Sequence, residues 1–136
     1  MVNELAEGLR MRYCEISLTR GPLQNYLGMS IDFAHASEAR KTMASYVKDM
    51  LLSSGVTGTA RTPATDGLFE VWDDAVVVSE EIRVWFHRVL AQLLYLAKRV
   101  RPECLAAVAY LATRVTRCNS HDICSEVLFR LLRYIR

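Results

Sequence analysis

The chain has 136 residues, the size of one domain, and 51% of them are apolar, enough to build a core. Its charged fraction of 24% is ordinary for a globular protein, and its longest apolar run, Cys104 to Ala112, is about half of the ~20 residues that cross a bilayer, so no membrane span is expected. The net charge of +2 is uneven: residues 1–81 carry 7 Lys/Arg against 12 Asp/Glu, and residues 82–136 carry 10 against 3. A basic second half suits an anionic partner, or simply attraction to the acidic first half.

In chain order, Ile16 and Leu18 alternate with Glu15, Ser17 and Thr19, which predicts a short strand ended by Gly21-Pro22. Tyr26, Leu27, Met29, Ile31 and Phe33 form a second segment of strand length, and a turn is expected from His35 to Glu38. From Thr42, a candidate cap, the period becomes helical: Met43, Tyr46, Val47 and Met50 share a face, and Gly55 stops the helix. Residues 53–67 are rich in Ser, Gly, Thr and Pro. So long a segment without structure should lie extended along a surface or a partner.

Ser79-Glu80-Glu81 marks the next helix start, with acids near the positive end of the dipole. Ile82, Trp85, Phe86, Val89, Leu90, Leu93 and Leu96 give this helix a broad apolar face, and Lys98, Arg99 and Arg101 close it. Pro102 opens a further helix, where its missing N–H costs little. A turn at Cys118-Asn119-Ser120, with Ser120 as cap, precedes a last helix bearing Ile123, Val127, Leu128, Leu131 and Ile135. The fold expected is α+β and mainly helical, as a single domain: a small β element (1–42), a helix (43–55), a linker (56–78) and a three- to four-helix bundle (79–136). Its core should hold Trp85, Leu93, Leu96, Leu105, Val108, Leu111, Val127, Leu128 and Leu131.

The ordered blocks resemble the copia-type retrotransposon reverse transcriptases. Tyr26-Leu27-Gly28-Met29 with Ile31 is similar to the family's YLG-M-x-I segment. Tyr46-Val47, Met50-Leu51-Leu52 and Gly55-Val56 resemble the helix that follows it, and Thr62-Pro63 matches a TP loop. Leu93 to Ala97 followed by Arg101-Pro102-Glu103 looks like an LLYLA…TRPD block, with Glu103 in place of the usual Asp. Leu131-Leu132-Arg133-Tyr134-Ile135 is similar to the closing LRYL block. Single blocks are weak, but their common order over residues 24–136 is specific. The resemblance implies the end of the palm and the thumb or connection, downstream of the catalytic aspartates, and a helical element that holds template–primer by its phosphates.

Polymerase chemistry needs carboxylates converging on two metal ions. Val71-Trp72-Asp73-Asp74 superficially imitates the family's aspartate turn but lies on the wrong side of the YLG-like segment and lacks the aromatic two places before the first acid. It reads as an exposed loop before a helix, so no catalytic residue and no enzyme activity are expected. Cys118, His121 and Cys124 have a zinc-like spacing without a fourth ligand and read as a capping segment. Gly55 and Gly58 lack the Lys-Ser/Thr of a phosphate loop, and His35, His87 and His121 sit in no catalytic motif, so no cofactor and no metal are expected. His87 reads as an edge-of-core histidine.

The basic residues are the better candidates. Lys98, Arg99 and Arg101 cluster at one helix end, Arg114 and Arg117 at the next, and Arg130, Arg133 and Arg136 repeat every three residues. They would contact nucleic-acid phosphates, or else be solvated charges that complement helix dipoles. The partner expected is therefore an RNA/DNA duplex, or a protein (including a second copy) covering apolar surface left by the missing palm. The first residues, Met1 to Glu4, lack a basic-then-apolar leader. Cytosol or nucleus is the default expectation, with an organelle left open. Cys14, Cys104, Cys118 and Cys124 are expected as free thiols.

Overall fold

The computed structural model describes residues 2–35, 37–124 and 126–136, and the chain divides into two units, Met1–Thr42 and Met43–Arg136. The first unit holds helix α1 (Val2–Tyr13) and an antiparallel sheet of β1 (Leu23–Tyr26), β2 (Met29–His35) and β3 (Glu38–Thr42) in the order β1-β2-β3. Tyr26 pairs with Met29, leaving Leu27-Gly28 as a two-residue turn with both φ values positive, 48° and 76°. That conformation matches the twist of a tight hairpin, and Gly28 adopts it without a Cβ penalty. The apolar segment from Tyr26 to Phe33 is thus a hairpin corner and a strand, not one strand. The strand expected around Ile16 and Leu18 does not form: residues 15–20 carry no regular structure, and α1 stands where no helix is expected. The turn expected from His35 to Glu38 includes Ala36, outside the described residues.

This unit has almost no core. Among its described residues Ala6 is the buried one, whereas Leu5, Leu9, Met11, Tyr13, Tyr26 and Phe33 stay exposed. A small antiparallel sheet in which no side chain is fully buried gains little from burial.

The second unit holds α2 (Ala44–Ser54), α3 (Glu80–Ala97), α4 (Leu105–Thr113), α5 (Ser120–Ile123) and α6 (Leu128–Ile135), with 3-10 turns at Asp66–Phe69, Pro102–Cys104 and Val115–Arg117. Gly55, at φ 64°, ends α2 in the left-handed conformation. The residue before α2 is Met43, without a side-chain cap, so Thr42 does not serve as one. Ser79 caps α3 as expected, its Oγ accepting from the Ile82 N–H. Phe86, Val89, Leu90, Leu93, Leu96 and Ala97 recur at helical spacing and are buried. Val108 and Leu111 of α4, Leu128, Leu131 and Leu132 of α6 and Met50 of α2 are buried as well. Each such side chain contributes roughly 1.5–3 kcal/mol by burial. Trp85, one step out of phase with Phe86, is half-buried with its ring 6.2 Å from that of Phe129, and Leu105 is also only half-buried. His87 is exposed, not at a core edge.

Val77, just before α3, pairs with Asn119, just after α4, and Ser120 N donates to Val76 O at 2.9 Å. The start of α3 therefore lies beside the end of α4, and the two helices run antiparallel. The expected last helix is interrupted: α5 ends at Ile123 and α6 starts at Leu128, with Ser125 between them outside the described residues. No helix among the described residues is long and apolar enough to cross a membrane.

Candidate functional site

The basic groups differ sharply in what they touch. At the end of α3, Arg99 stacks its guanidinium 3.7 Å from the centre of the Tyr95 ring and donates to the Tyr95 carbonyl at 3.3 Å. This cation neutralises a helix C-terminus while covering an aromatic face. Arg101 donates from Nε to Glu103 Oε1 at 2.5 Å and lies over the Tyr134 ring at 4.9 Å. Burial disfavours its charge, but bonds to Glu103 and Tyr134 outweigh that and raise its pKa. The same bond from Arg101 holds the Glu103 carboxyl below its ordinary range. Lys98, at the C-cap, is exposed.

Arg114, expected as a phosphate contact or a solvated charge, lies in the interior. It is only 4% exposed and donates from Nε to Asp122 Oδ1 at 3.0 Å, an acid itself 1% exposed. The bond it donates to Asp122 raises the Arg114 pKa against the opposing effect of burial. Asp122 Oδ2 also accepts from Asn119 N at 3.0 Å, while Asn119 Oδ1 accepts from His121 N and Asp122 N, a reciprocal capping box. The cap of α5 is therefore Asn119, not Ser120. Asn119 Nδ2 donates to the Trp72 carbonyl at 2.9 Å, and the Trp72 ring stacks on His121 at 4.7 Å. One buried polar node thus pins the loop before α3 to the start of α5. Arg117, by contrast, is exposed.

The arginine stripe on α6 is engaged by the chain itself, along the surface. Arg136 Nη1 donates to Val56 O at 3.2 Å, Arg133 Nε to Thr57 O at 3.0 Å, and Arg130 Nη2 to Thr62 Oγ1 at 3.0 Å. Ala60 N donates back to Arg133 O at 3.3 Å. Residues 56–62, the first part of the expected linker (56–78), are strapped along α6 by this row. A carbonyl, like a phosphate oxygen, is a good acceptor for a guanidinium, which is why the stripe alone does not tell the two apart.

Lys98, Arg117 and Arg136 are exposed, and Lys98 and Arg117 follow α3 and α4 at opposite ends of an antiparallel pair. Asp73 and Asp74 occupy an exposed turn before α3. Among the described residues no three His, Cys, Asp or Glu side chains gather as metal ligands. Cys118 is buried, with its thiol 3.8 Å from the Asn119 carbonyl, and His121 lies against Trp72. Burial pushes the Cys104 and Cys118 thiols up to about 11, which makes them poor nucleophiles at neutral pH. Cys14 is exposed and Cys124 half-buried, and all four thiols are free.

The residue that sequence reasoning missed is Asp122. Its signal was the Asn119-x-x-Asp122 spacing, hidden because Ser120 is an equally good cap by type. Compared with known proteins, the chain matches no family model, no curated protein and no solved structure.

Proposed function

We propose that the chain is a non-catalytic piece of a copia-type reverse transcriptase, of thumb or connection type, that now works as a structural or adaptor subunit bound to another protein. On this reading α2, α3, α4 and α6 are the three- to four-helix bundle of that element. The observation that carries the choice of partner is the engagement of the cations. Arg114 is buried on Asp122, Arg101 lies on Glu103 and Tyr134, and Arg130, Arg133 and Arg136 hold residues 56–62. To hold a duplex, these side chains would first have to abandon intramolecular partners. The exposed apolar side chains of the first unit, Leu5, Leu9, Tyr26 and Phe33 among them, favour a protein surface as the other half of the contact.

The second reading, contact with RNA/DNA duplex phosphates, rests on exposed Lys98 and Arg117 together with the basic second half of the chain. Titration of the purified chain with a labelled hybrid duplex at low salt separates the two. Adaptor function predicts no affinity there, and a heavier complex in native mass measurements on material from the source. Salt-sensitive duplex binding would reverse the choice, because phosphate neutralisation releases counterions. A monodisperse monomer at source concentration would remove the adaptor reading.

A further inference from the structure

The strap along α6 ends at a hydroxyl that already faces a cation. Thr62 is exposed and precedes Pro63, and of the chain's prolines (Pro22, Pro63 and Pro102) this is the one that follows a Ser or Thr. Thr62 Oγ1 donates to Ala64 O at 2.9 Å and accepts from Arg130 Nη2 at 3.0 Å. Arg130 has donor capacity left over: its Nε is buried without a hydrogen-bond partner among the described residues. Its Nη1 binds Glu126, which is 61% exposed and so can turn into water. Arg61, adjacent to Thr62, is exposed as well.

We propose that Thr62 is a phosphorylation site for a proline-directed protein kinase, with the Arg130 guanidinium as the cradle of the resulting phosphate. The Thr62 oxygen attacks the γ-phosphorus of ATP. The new P–O bond forms as the bond to ADP breaks, and the hydroxyl proton passes to the kinase's base. The Thr62 bond to Ala64 O is lost in exchange. The product carries about two negative charges and three strong acceptor oxygens at a place where a guanidinium is already within bonding distance. Arginine pairs with phosphate through two parallel bonds, and Arg130 Nη2 and its free Nε are adjacent donors of that kind. The modification would tighten the strap by the residue that already anchors it.

The test is to incubate the full chain with a proline-directed Ser/Thr kinase and ATP, then map the phosphate by mass spectrometry. One phosphate per chain on Thr62 is expected, and none in Thr62→Ala. The phosphorylated protein is next titrated by ³¹P resonance, in wild type and in Arg130→Gln. The midpoint should lie below the ordinary value of about 6 in the wild type and return to about 6 in the variant. The wild-type phosphoprotein in urea supplies a second reference, so a variant that fails to fold does not blur the result. No incorporation at Thr62, or the same midpoint in folded and urea-unfolded wild type, would overturn the proposal.

Discussion

Replacing Asp122 by Ala probes the buried node most directly. It leaves the Arg114 guanidinium, 4% exposed, without its carboxylate, and it orphans the Asn119 N–H that Oδ2 accepts from. Removing one partner of a buried ion pair costs about 3–5 kcal/mol, and an orphaned N–H about 1–3 kcal/mol within that total. Against a domain stability of roughly 5–15 kcal/mol this is a large share. In urea, with a slope of about 1–3 kcal/mol per M, the unfolding midpoint should fall by about 1 M or more. The diagnostic arm is the double variant. Arg114→Met alone should also destabilise, since it strands a carboxylate; added to Asp122→Ala, it should restore stability, because no unpaired charge then remains inside. Acid should shrink the deficit of Arg114→Met, as a proton can neutralise the stranded carboxylate, while Asp122→Ala gains nothing, because a guanidinium keeps its charge. Urea titrations of the four proteins at neutral and mildly acidic pH read this out. If Arg114→Met lowers stability equally in both backgrounds, or Asp122→Ala costs under about 1 kcal/mol, the pair is not a desolvated unit and the reasoning fails.

Three further outcomes are expected. With a thiol reagent at neutral pH, Cys14 should react within the mixing phase and Cys124 more slowly. Cys104 and Cys118 should react only on unfolding, as read by labelling stoichiometry with and without urea. The same two thiols make stability fall in alkali. Their folded-state values of about 11 lie above the ordinary 9.0, so the unfolded chain loses those protons first, and the stabilisation is intact below pH 9 and lost as pH rises towards 11. The loss is on the order of 2 kcal/mol per thiol, and Cys104→Ala/Cys118→Ala should flatten that part of the urea-midpoint profile. Finally, Phe86→Ala should cost about 3–5 kcal/mol, and Trp85→Ala distinctly less, in the same unfolding assay, because only Phe86 is fully enclosed.

Helical periodicity made much of the second unit legible. The runs from Ile82 to Ala97 and from Cys104 to Val115 carry their buried faces at a spacing that few other structures would explain, and Ser79 and Gly55 announce their boundaries by residue type. Half-buried Trp85 was misplaced because size and hydrophobicity look alike in a list, while the helix phase favours its neighbour Phe86. The roles of the arginines were illegible for a different reason. Their acceptors lie 68, 76 and 80 residues earlier in the chain, and no local pattern reports such partners. Arg114 looked like a helix-end charge until the chain returned eight residues later with Asp122. In the first unit, the alternation at Ile16 and Leu18 was too brief to decide a strand, and α1 buries only Ala6, so its sequence carries little of the stripe by which helices are recognised.

The strap has a bearing on the order in which this protein takes shape. Residues 56–62 leave the ribosome early, yet nothing can fasten them until the segment from Arg130 to Arg136 has also been made. That same late segment brings Leu128, Leu131, Leu132 and Ile135, all buried, so the core stays incomplete until it arrives. A chain stopped before residue 128 would leave core surface uncovered, the condition under which partly folded chains associate.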